Sequence, residues 1–392
     1  MAALTSAVAE SYAKDIDAYR TAMRDWLAEH KNELTAPVAN SGHEYIAHCL
    51  QLSSAMWQAG WKRFGWPTSL GGLGGGPRHR ATYYDELGGA GLEIPDTDLS
   101  IEVIGPAMVR FAPALADAFL PRLLAGQESW AQAFSEPEAG SDLASLRTRG
   151  VVTDCQVVVD GQKVWTSHGH YAERLLTLVR TGTSESRHRG LAALLIDSDS
   201  EGLHRNPLIF ANGTDEMCET FFDGVRVPLD RLVGGPEQGW TVAMYMLQFE
   251  RSMYAAQRQS FLELRLRQLT NYLKEAGYDE GAEAAAGWAW LNLQSVRARA
   301  IESVRRLDAG EAIGPDASAD KVLLARAEQA VFELSRYARR SGFVFDEQAA
   351  EPWRAGWWYS RATSIFGGAG EIQRSIVADR VLKLPKEKVE PQ

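Results

Sequence analysis

Three short segments of the sequence carry residue types that bind cofactors or assist proton transfer. The first comprises residues 134–142, which read Phe-Ser-Glu-Pro-Glu-Ala-Gly-Ser-Asp. Gly140 allows a ligand to approach the backbone closely, and Ser135 and Ser141 offer hydroxyl donors beside the N–H groups of a turn. These residue types predict a ligand-binding turn, although an acidic connection between two domains would have the same composition.

The second segment comprises residues 163–167, which read Lys-Val-Trp-Thr-Ser. The flat indole of Trp165 could cover a planar aromatic cofactor, and the hydroxyls of Thr166 and Ser167 could donate to polar atoms of its ring. Taken alone, these residues favour a core tryptophan with solvent-facing hydroxyls.

The third segment comprises residues 367–374, which read Gly-Gly-Ala-Gly-Glu-Ile-Gln-Arg. Glycines directly before a helix leave N–H groups unpaired at the positive end of the helix dipole, and such groups bind anions or a pyrophosphate. The segment does not follow a predicted strand, so it is not a Rossmann fingerprint. Alone it is a weak signal.

The elements that must position these segments fall into three regions. Apolar residues first recur at helical spacing, and the helical pattern continues to about residue 126. From about residue 130 to 233, short β-prone runs replace it, with a two-residue hairpin turn predicted at Asp160-Gly161. The residues that show the helical spacing near the start are Ile16, Tyr19, Met23 and Leu27.

Helical patterns return from about residue 239, and four of them predict an antiparallel bundle. They cover residues 240–273, 281–308 and 317–341, and a fourth begins at Glu371. The sequence therefore predicts an α+β multi-domain protein. Its parts are an N-terminal α-helical domain (1–128), a middle antiparallel β-barrel or sandwich domain (129–234) and a C-terminal four-helix bundle (235–392).

The composition argues against several classes of protein. The 392 residues are 45% apolar and 23% charged, so a mainly disordered chain is not expected. The net charge of −10 argues against a nucleic-acid partner, and no apolar run approaches the roughly 20 residues of a membrane-spanning helix. The three cysteines lie far apart, and no third ligand joins His168 and His170. We therefore expect no disulfide framework, no metal and a cytoplasmic location.

Together, the three segments resemble the acyl-CoA dehydrogenase family of flavoenzymes. The Phe-Ser-Glu-Pro-x-Ala-Gly-Ser-Asp string, the Gly-Gln-Lys-x-Trp-Thr-Ser strand and the closing Gly-Gly-x-x-Glu-Ile-Gln-Arg helix are highly specific for that family and occur in its order. The resemblance covers essentially the whole chain. It implies an FAD-dependent oxidoreductase acting on a CH–CH group, which converts an acyl-CoA into a trans-2,3-enoyl-CoA in fatty-acid β-oxidation or steroid side-chain catabolism.

The resemblance also implies contacts with FAD, which in this family lies between the β domain and the bundle. Gln132, Phe134 and Ser135 would line the isoalloxazine ring, and Ser141 would also meet the thioester substrate. Ala369 stands where threonine is more usual, which removes one hydroxyl contact. The remaining positions that the resemblance assigns to FAD are Gly140, Trp165, Thr166, Ser167, Ala369 and Glu371.

The reaction needs a carboxylate that removes the proton alpha to the thioester carbonyl. Many family members carry that glutamate just before the glycine of the C-terminal turn, where this chain has Gly367. Other branches place it in a Glu-Arg pair on the first bundle helix, which matches Glu250 and Arg251. The resemblance thus implies Glu250 as the base, the Gly367 N–H as a donor to the carbonyl, and Arg251 near flavin and base.

The apolar neighbours of Glu250 at helical spacing predict a raised carboxyl pKa, which suits a base near neutral pH. An ordinary glutamate on a solvated helix face is the alternative. The side chains concerned are Met246, Leu247, Met253 and Tyr254.

The sequence departs from the homotetrameric members, because it lacks their Arg-x-x-Phe-Gly stretch beyond the Glu-Arg pair and has no Gly-Gly-x-Gly in residues 341–358. The Gly314-Pro315 turn before Lys321 instead resembles a bacterial branch acting on large acyl-CoA substrates, some members of which pair two different subunits. We expect a homo- or hetero-oligomer, a dimer or tetramer, and electron-transfer flavoprotein or a similar acceptor as a partner. The alternatives are a non-catalytic or half-site partner subunit, and a flavin oxidase or monooxygenase on the same fold.

Overall fold

The structure is a computed structural model that describes residues 4–345 and 347–385. The chain forms two compact units. Unit 1 comprises the residues up to 86 together with 92–249, and unit 2 comprises residues 87–91 together with those from 250 onward. The division into three domains at residues 128 and 234 stays a prediction.

The N-terminal third of the chain is helical, as predicted. Asp15 caps the second helix by accepting hydrogen bonds from the N–H groups of Asp17 and Ala18, and Tyr19 on that helix is fully buried. The helices are α1 (Ser6–Lys14), α2 (Ile16–Leu34), α3 (Gly42–Ala59), α4 (Pro77–Ala90), α5 (Thr97–Phe111) and α6 (Pro113–Leu124).

Seven strands form one sheet in the middle of the chain. Four of the strand pairs are antiparallel, as expected, and two pairs, β1 with β4 and β2 with β4, are parallel. The apolar core of unit 1 joins this sheet to α5 and α6, with Ile104, Leu120 and Leu176 fully buried. The strands are β1 (Trp130–Ala133), β2 (Arg149–Val152), β3 (Gln156–Ser167), β4 (Arg174–Arg180), β5 (Leu191–Asp197), β6 (Leu203–Leu208) and β7 (Met217–Pro228).

The hairpin predicted at Asp160-Gly161 is wrong. Strand β3 runs straight through this dipeptide, and both halves of it pair with β7. The register shifts between Val159 and Gly161, and Gly161 has a φ of +144°. A β-carbon on Gly161 would lie 2.7 Å from the α-carbon of Thr148, so the glycine serves a bulge and a close contact instead of a turn.

Helices dominate the C-terminal part. The three predicted long helices are present, and α11, which the sequence did not reveal, is the fourth long helix. The helix expected from Glu371 begins at Gly370 and has only seven residues. The helices are α7 (Gly239–Ala276), α8 (Glu280–Asp308), α9 (Ala317–Arg339), α10 (Gly342–Phe345), α11 (Glu347–Ala362) and α12 (Gly370–Ile376), with a π-helical turn at Val377–Val381. Among the described residues, none of these helices is both long and apolar enough to cross a membrane.

Candidate active-site residues

The string at residues 134–142 folds as a tight turn anchored by Glu136. The backbones of Glu136 and Ala139 exchange two hydrogen bonds, of 3.0 and 3.1 Å. The Glu136 carboxylate accepts the N–H groups of Arg147 at 2.6 Å and Thr148 at 2.8 Å, just before β2. Phe134 is buried at the start of the turn. The turn is thereby fastened to the sheet.

Lys163 fastens the same turn from strand β3. Its side chain is fully buried, and its Nζ donates to Glu136 Oε1 at 2.8 Å and to the Phe134 carbonyl at 2.9 Å. Burial alone would raise the pKa of Glu136, but Lys163 and the hydrogen bonds to the Glu136 carboxylate lower it below its ordinary value. Burial lowers the pKa of Lys163 to about 8 against the opposing effect of Glu136, so the lysine stays mainly protonated and the two side chains form an ion pair at neutral pH.

The structure brings the first two segments together. The Val164 N–H donates to the Ser135 carbonyl at 3.0 Å, so the Trp165 strand runs beside the turn. Trp165 has a φ of +61°, and its side chain is 57% exposed. Ser167 is also exposed, whereas the Thr166 side chain is fully buried and its hydroxyl finds no partner among the described residues.

The other unit 1 residues predicted to contact FAD have varied surroundings. Gly140 and Ser141 are exposed, and a β-carbon on Gly140 would meet nothing within 4 Å, so a ligand could approach this backbone. Gln132 is half-buried on β1. Asp142 braces the end of the turn through an exposed ion pair with Arg187 at 3.1 Å.

These side chains suit a flavin ring. An exposed, flat indole on one strand matches a planar heteroaromatic ring, and the nearby hydroxyl of Ser135 and the exposed hydroxyl of Ser167 match its polar edge. Thr166 does not share this face, since its neighbours on the strand point to the opposite side.

In unit 2, Glu250 and Gly367 meet. Glu250 Oε1 lies 3.0 Å from the position that a β-carbon would take on Gly367, and Gly367 has a φ of +62°. Glu250 is half-buried on α7. Among the described residues, no backbone carbonyl accepts the N–H of Gly367. A carboxylate and an available N–H donor therefore lie close together.

A buried lysine that the sequence did not single out completes this group. Lys321 on α9 is 3% exposed; its Nζ donates to the Thr363 carbonyl and lies 4.5 Å from the centre of the Phe366 ring. Its Cε lies 3.2 Å from the β-carbon position of Gly367. Burial lowers the pKa of Lys321 to about 8, against the opposing effects of Glu328 and Glu250.

Arg251 contacts the same loop. Its Nε donates to the Gly367 carbonyl at 3.5 Å, and burial lowers the pKa of its guanidinium while Glu250 opposes that change. Gly368 has a φ of +103°, and the amide of the buried Gln373 occupies the space that a side chain would need there. The double glycine is thus required by the backbone and by close packing on two sides.

Ala369 and Glu371 lie at the start of α12. Ala369 occupies the position before the first helical residue, and Glu371 is exposed in the first turn. Their assignment to FAD stays a prediction.

His168 and His170 lie on the loop after β3. Burial lowers the pKa of both imidazoles, and the nearest acidic partner of His170 is Asp215, at 3.7 Å. Within the part of the chain that the structure describes, no group of three or more histidine, cysteine or acidic side chains could hold a metal ion.

Sequence reasoning missed Glu136, Lys163 and Lys321 as contributors to the site. Glu136 and Lys163 stand inside the two segments already quoted, but their pairing across 27 positions leaves no spacing signal. Lys321 follows the Gly314-Pro315 turn, and a lysine in a helix is read by default as a surface residue. Their burial is visible only in three dimensions.

The architecture is that of the acyl-CoA dehydrogenase class of fold. It has a helical N-terminal region, a β-sheet with an exposed tryptophan, and a helical C-terminal region with a glutamate beside a glycine loop. Family models agree: "Acyl-CoA dehydrogenase, middle domain" matches residues 131–225, and "Acyl-CoA dehydrogenase, C-terminal domain" matches residues 237–382. The chain belongs to the acyl-CoA dehydrogenase family, whose members are FAD-dependent oxidoreductases. The predicted family and enzyme class are confirmed.

A curated relative supports the same assignment, and solved structures support the fold. The chain is 33% identical to acyl-CoA dehydrogenase IpdE1 of Mycobacterium tuberculosis over 95% of this chain and 99% of that protein. Among solved structures, a variant of the Tcur3481-Tcur3483 steroid ACAD is similar with a TM-score of 0.83 and 23% identity, covering 95% of this chain and 100% of that one. The ChsE4-ChsE5 complex of Mycobacterium tuberculosis is similar with a TM-score of 0.77 and 25% identity, covering 95% and 98%.

Proposed function

We propose that this protein oxidises an acyl-CoA thioester to a trans-2,3-enoyl-CoA, with Glu250 as the base. The observation that carries the proposal is the position of the Glu250 carboxylate at Gly367. The family places its catalytic glutamate at either of these two sequence positions, and here the side chain from one position reaches the other. A glutamate side chain from either sequence position, 250 or 367, would thus place its carboxylate in the same region of the site.

Glu250 would take the proton from the carbon next to the thioester carbonyl. As that proton leaves, negative charge develops on the carbonyl oxygen, and a donor held in place for that charge lowers the barrier. The N–H of Gly367 is such a donor, since no backbone carbonyl in the described part of the chain accepts it. Arg251 would steady the glycine loop through its hydrogen bond to the Gly367 carbonyl.

FAD, when bound, supplies the acceptor for the hydride that leaves the β-carbon. The residues that would hold it in unit 1 are Gln132, Phe134, Ser135, Gly140, Ser141, Trp165 and Ser167, with Thr166 contributing through its backbone. Ala369 and Glu371 are the other two positions that the family resemblance assigns to FAD. Ser141 would also contact the substrate.

The substrate class is proposed from the relatives. Two similar structures are of a steroid ACAD, and another relative is the long-chain specific acyl-CoA dehydrogenase of mouse mitochondria. A bulky acyl group from steroid or fatty-acid breakdown is therefore the substrate that we propose. We also propose that the electrons taken from the substrate pass to electron-transfer flavoprotein or a similar acceptor. A cytoplasmic location is part of the same proposal.

A two-chain assembly is proposed on similar grounds. The ChsE4-ChsE5 complex and the Tcur3481-Tcur3483 enzyme are named as pairs of chains. This sequence lacks the Arg-x-x-Phe-Gly stretch, and residues 341–358 lack the Gly-Gly-x-Gly, that in homotetrameric members help to hold FAD across subunits. We therefore propose that the protein is an oligomer. The names of these similar structures favour an oligomer in which the partner is a related second chain.

Anaerobic mixing with CoA thioesters tests the function. Purified full-length protein should be yellow, a bulky acyl-CoA should bleach it without oxygen, and mass spectrometry should show a product lighter by two hydrogens. Rapid recolouring in air with peroxide release would instead indicate an oxidase. A chain that takes up no flavin, alone or with a related subunit, would contradict the proposal.

A further inference from the structure

The buried pair of Glu136 and Lys163 joins the two segments that face the flavin in the proposed function. We propose that these two side chains are positioning residues, which hold Ser135 and Trp165 in fixed relation to each other. The inference rests on the FAD site proposed above. It concerns residues that make no proposed contact with FAD themselves.

Lys163 makes the connection between strand and turn. Its ammonium is completely buried and donates both to the Glu136 carboxylate and to the Phe134 carbonyl. Burial of an ammonium is costly, and an apolar side chain would fill the same space without that cost. Unlike an apolar side chain, Lys163 makes two directional hydrogen bonds. These bonds fix the position of the turn relative to strand β3.

Glu136 extends the connection to a third segment. Its two oxygens accept the N–H groups of Arg147 and Thr148 at 2.6 and 2.8 Å, immediately before β2. One carboxylate therefore holds the turn, the entry to β2 and, through Lys163, strand β3. Hydrogen bonds to a charged group are stronger than neutral ones, which makes this junction rigid.

The exposed indole depends on that junction. Trp165 lies two residues after Lys163, at an irregularity of the β3–β7 pairing between Lys163 and Thr166. Its left-handed backbone, with a φ of +61°, is unfavourable for a bulky residue and persists only where the surroundings impose it. The hydrogen bonds of Lys163 and the bond from the Val164 N–H to the Ser135 carbonyl, both directly before Trp165, supply such constraints.

The chain offers a matched control in a second buried lysine. Lys62 Nζ lies 2.6 Å from Asp98 Oδ1 and 2.7 Å from Ser53 Oγ, with only 4% of the side chain exposed. It resembles Lys163 in burial and pairing, but it lies in the N-terminal helical region. Lys62→Met should therefore cost stability without touching the turn.

The test compares Lys163→Met and Lys62→Met as full-length, flavin-free proteins titrated with FAD. We expect both to lower the melting temperature, but only Lys163→Met to weaken FAD binding, by at least about tenfold. Amide hydrogen exchange without flavin should accelerate across residues 134–142 and 163–167 in that variant alone. Equal FAD affinity in the two variants, or unchanged exchange in Lys163→Met, would overturn the inference.

If Lys163→Met does not fold, Glu136→Gln provides a second test of the positioning role. It keeps the size of the side chain and removes the charge, and we expect weaker FAD binding with the same pattern of exchange. Wild-type affinity in this variant would also overturn the inference. Failure of the wild-type chain to bind FAD, in contrast, would count against the proposed function, while accelerated exchange in the flavin-free variants would still support the positioning role.

Discussion

The carboxylate of Glu250 fills the space that a side chain would need at Gly367, with Oε1 only 3.0 Å from the ideal β-carbon position. Lys321 Cε approaches the same position to 3.2 Å. The absence of a side chain at residue 367 and the presence of a glutamate at residue 250 are therefore two parts of one arrangement. A β-carbon at residue 367 would therefore require the Glu250 carboxylate to shift.

Gly367→Ala should disrupt this arrangement. The new methyl group would lie 3.0 Å from Glu250 Oε1 and would push the carboxylate aside slightly. We expect turnover to fall, by less than the roughly 100-fold that a displacement of about 1 Å can cost. The left-handed backbone adds a stability cost of about 1–2 kcal/mol. Steady-state kinetics and urea unfolding would measure the two effects.

Gly314→Ala is the matched control for that variant. Gly314 has a φ of +58°, and a β-carbon there would meet nothing within 4 Å. We expect a similar loss of stability with nearly normal turnover. Equal turnover in both alanine variants would show that the contact with Glu250 has no bearing on activity.

Trp165→Ala should separate flavin binding from folding. The indole is 57% exposed, so its removal should change the unfolding free energy of the flavin-free chain by no more than about 0.5 kcal/mol. Loss of aromatic stacking should weaken FAD binding by about 1–3 kcal/mol. Trp290→Ala removes a second indole of 57% exposure, and FAD titration of that variant should match wild type.

The stability contribution of Lys321 should depend on pH above about 8. Burial lowers its pKa from 10.5 to about 8, with Glu328 and Glu250 opposing this and Arg251 reinforcing it. Because the folded chain releases this proton before the unfolded chain does, folding becomes more favourable as pH rises between these two values. The unfolding free energy of wild type, measured against Lys321→Met, should increase across that window and stay level below it. A difference that is flat or that shrinks would contradict the account.

Much of the fold followed from the sequence because its patterns are local. The spacing of Tyr19, Met23 and Leu27 placed one face of α2 in the core, where all three are fully buried. Helix α11 was not predicted because Pro352 and Gly356 lie inside it, and both residue types disfavour a helix interior. In the structure, that glycine lets the Phe332 ring of α9 pack directly on the α11 backbone.

Only part of the candidate site could be predicted from the sequence. The family resemblance identified Glu250, Gly367 and Trp165. The Asp160-Gly161 dipeptide was wrongly interpreted as a hairpin turn, because tight turns and β-bulges favour the same residue types. Lys321 and the Glu136–Lys163 pair could not be found, since a buried charge is recognised by its distant partners and not by its neighbours in sequence.

The most direct test of the account is anaerobic flavin bleaching by an acyl-CoA in wild type and in Glu250→Gln, with Glu275→Gln, an exposed position on the same helix, as the control. All three proteins should bind FAD alike. Glu275→Gln should bleach at the wild-type rate, and Glu250→Gln should be slower by about 10²–10⁴-fold, the usual contribution of a positioned base. Wild-type bleaching in Glu250→Gln would show that another group removes the proton.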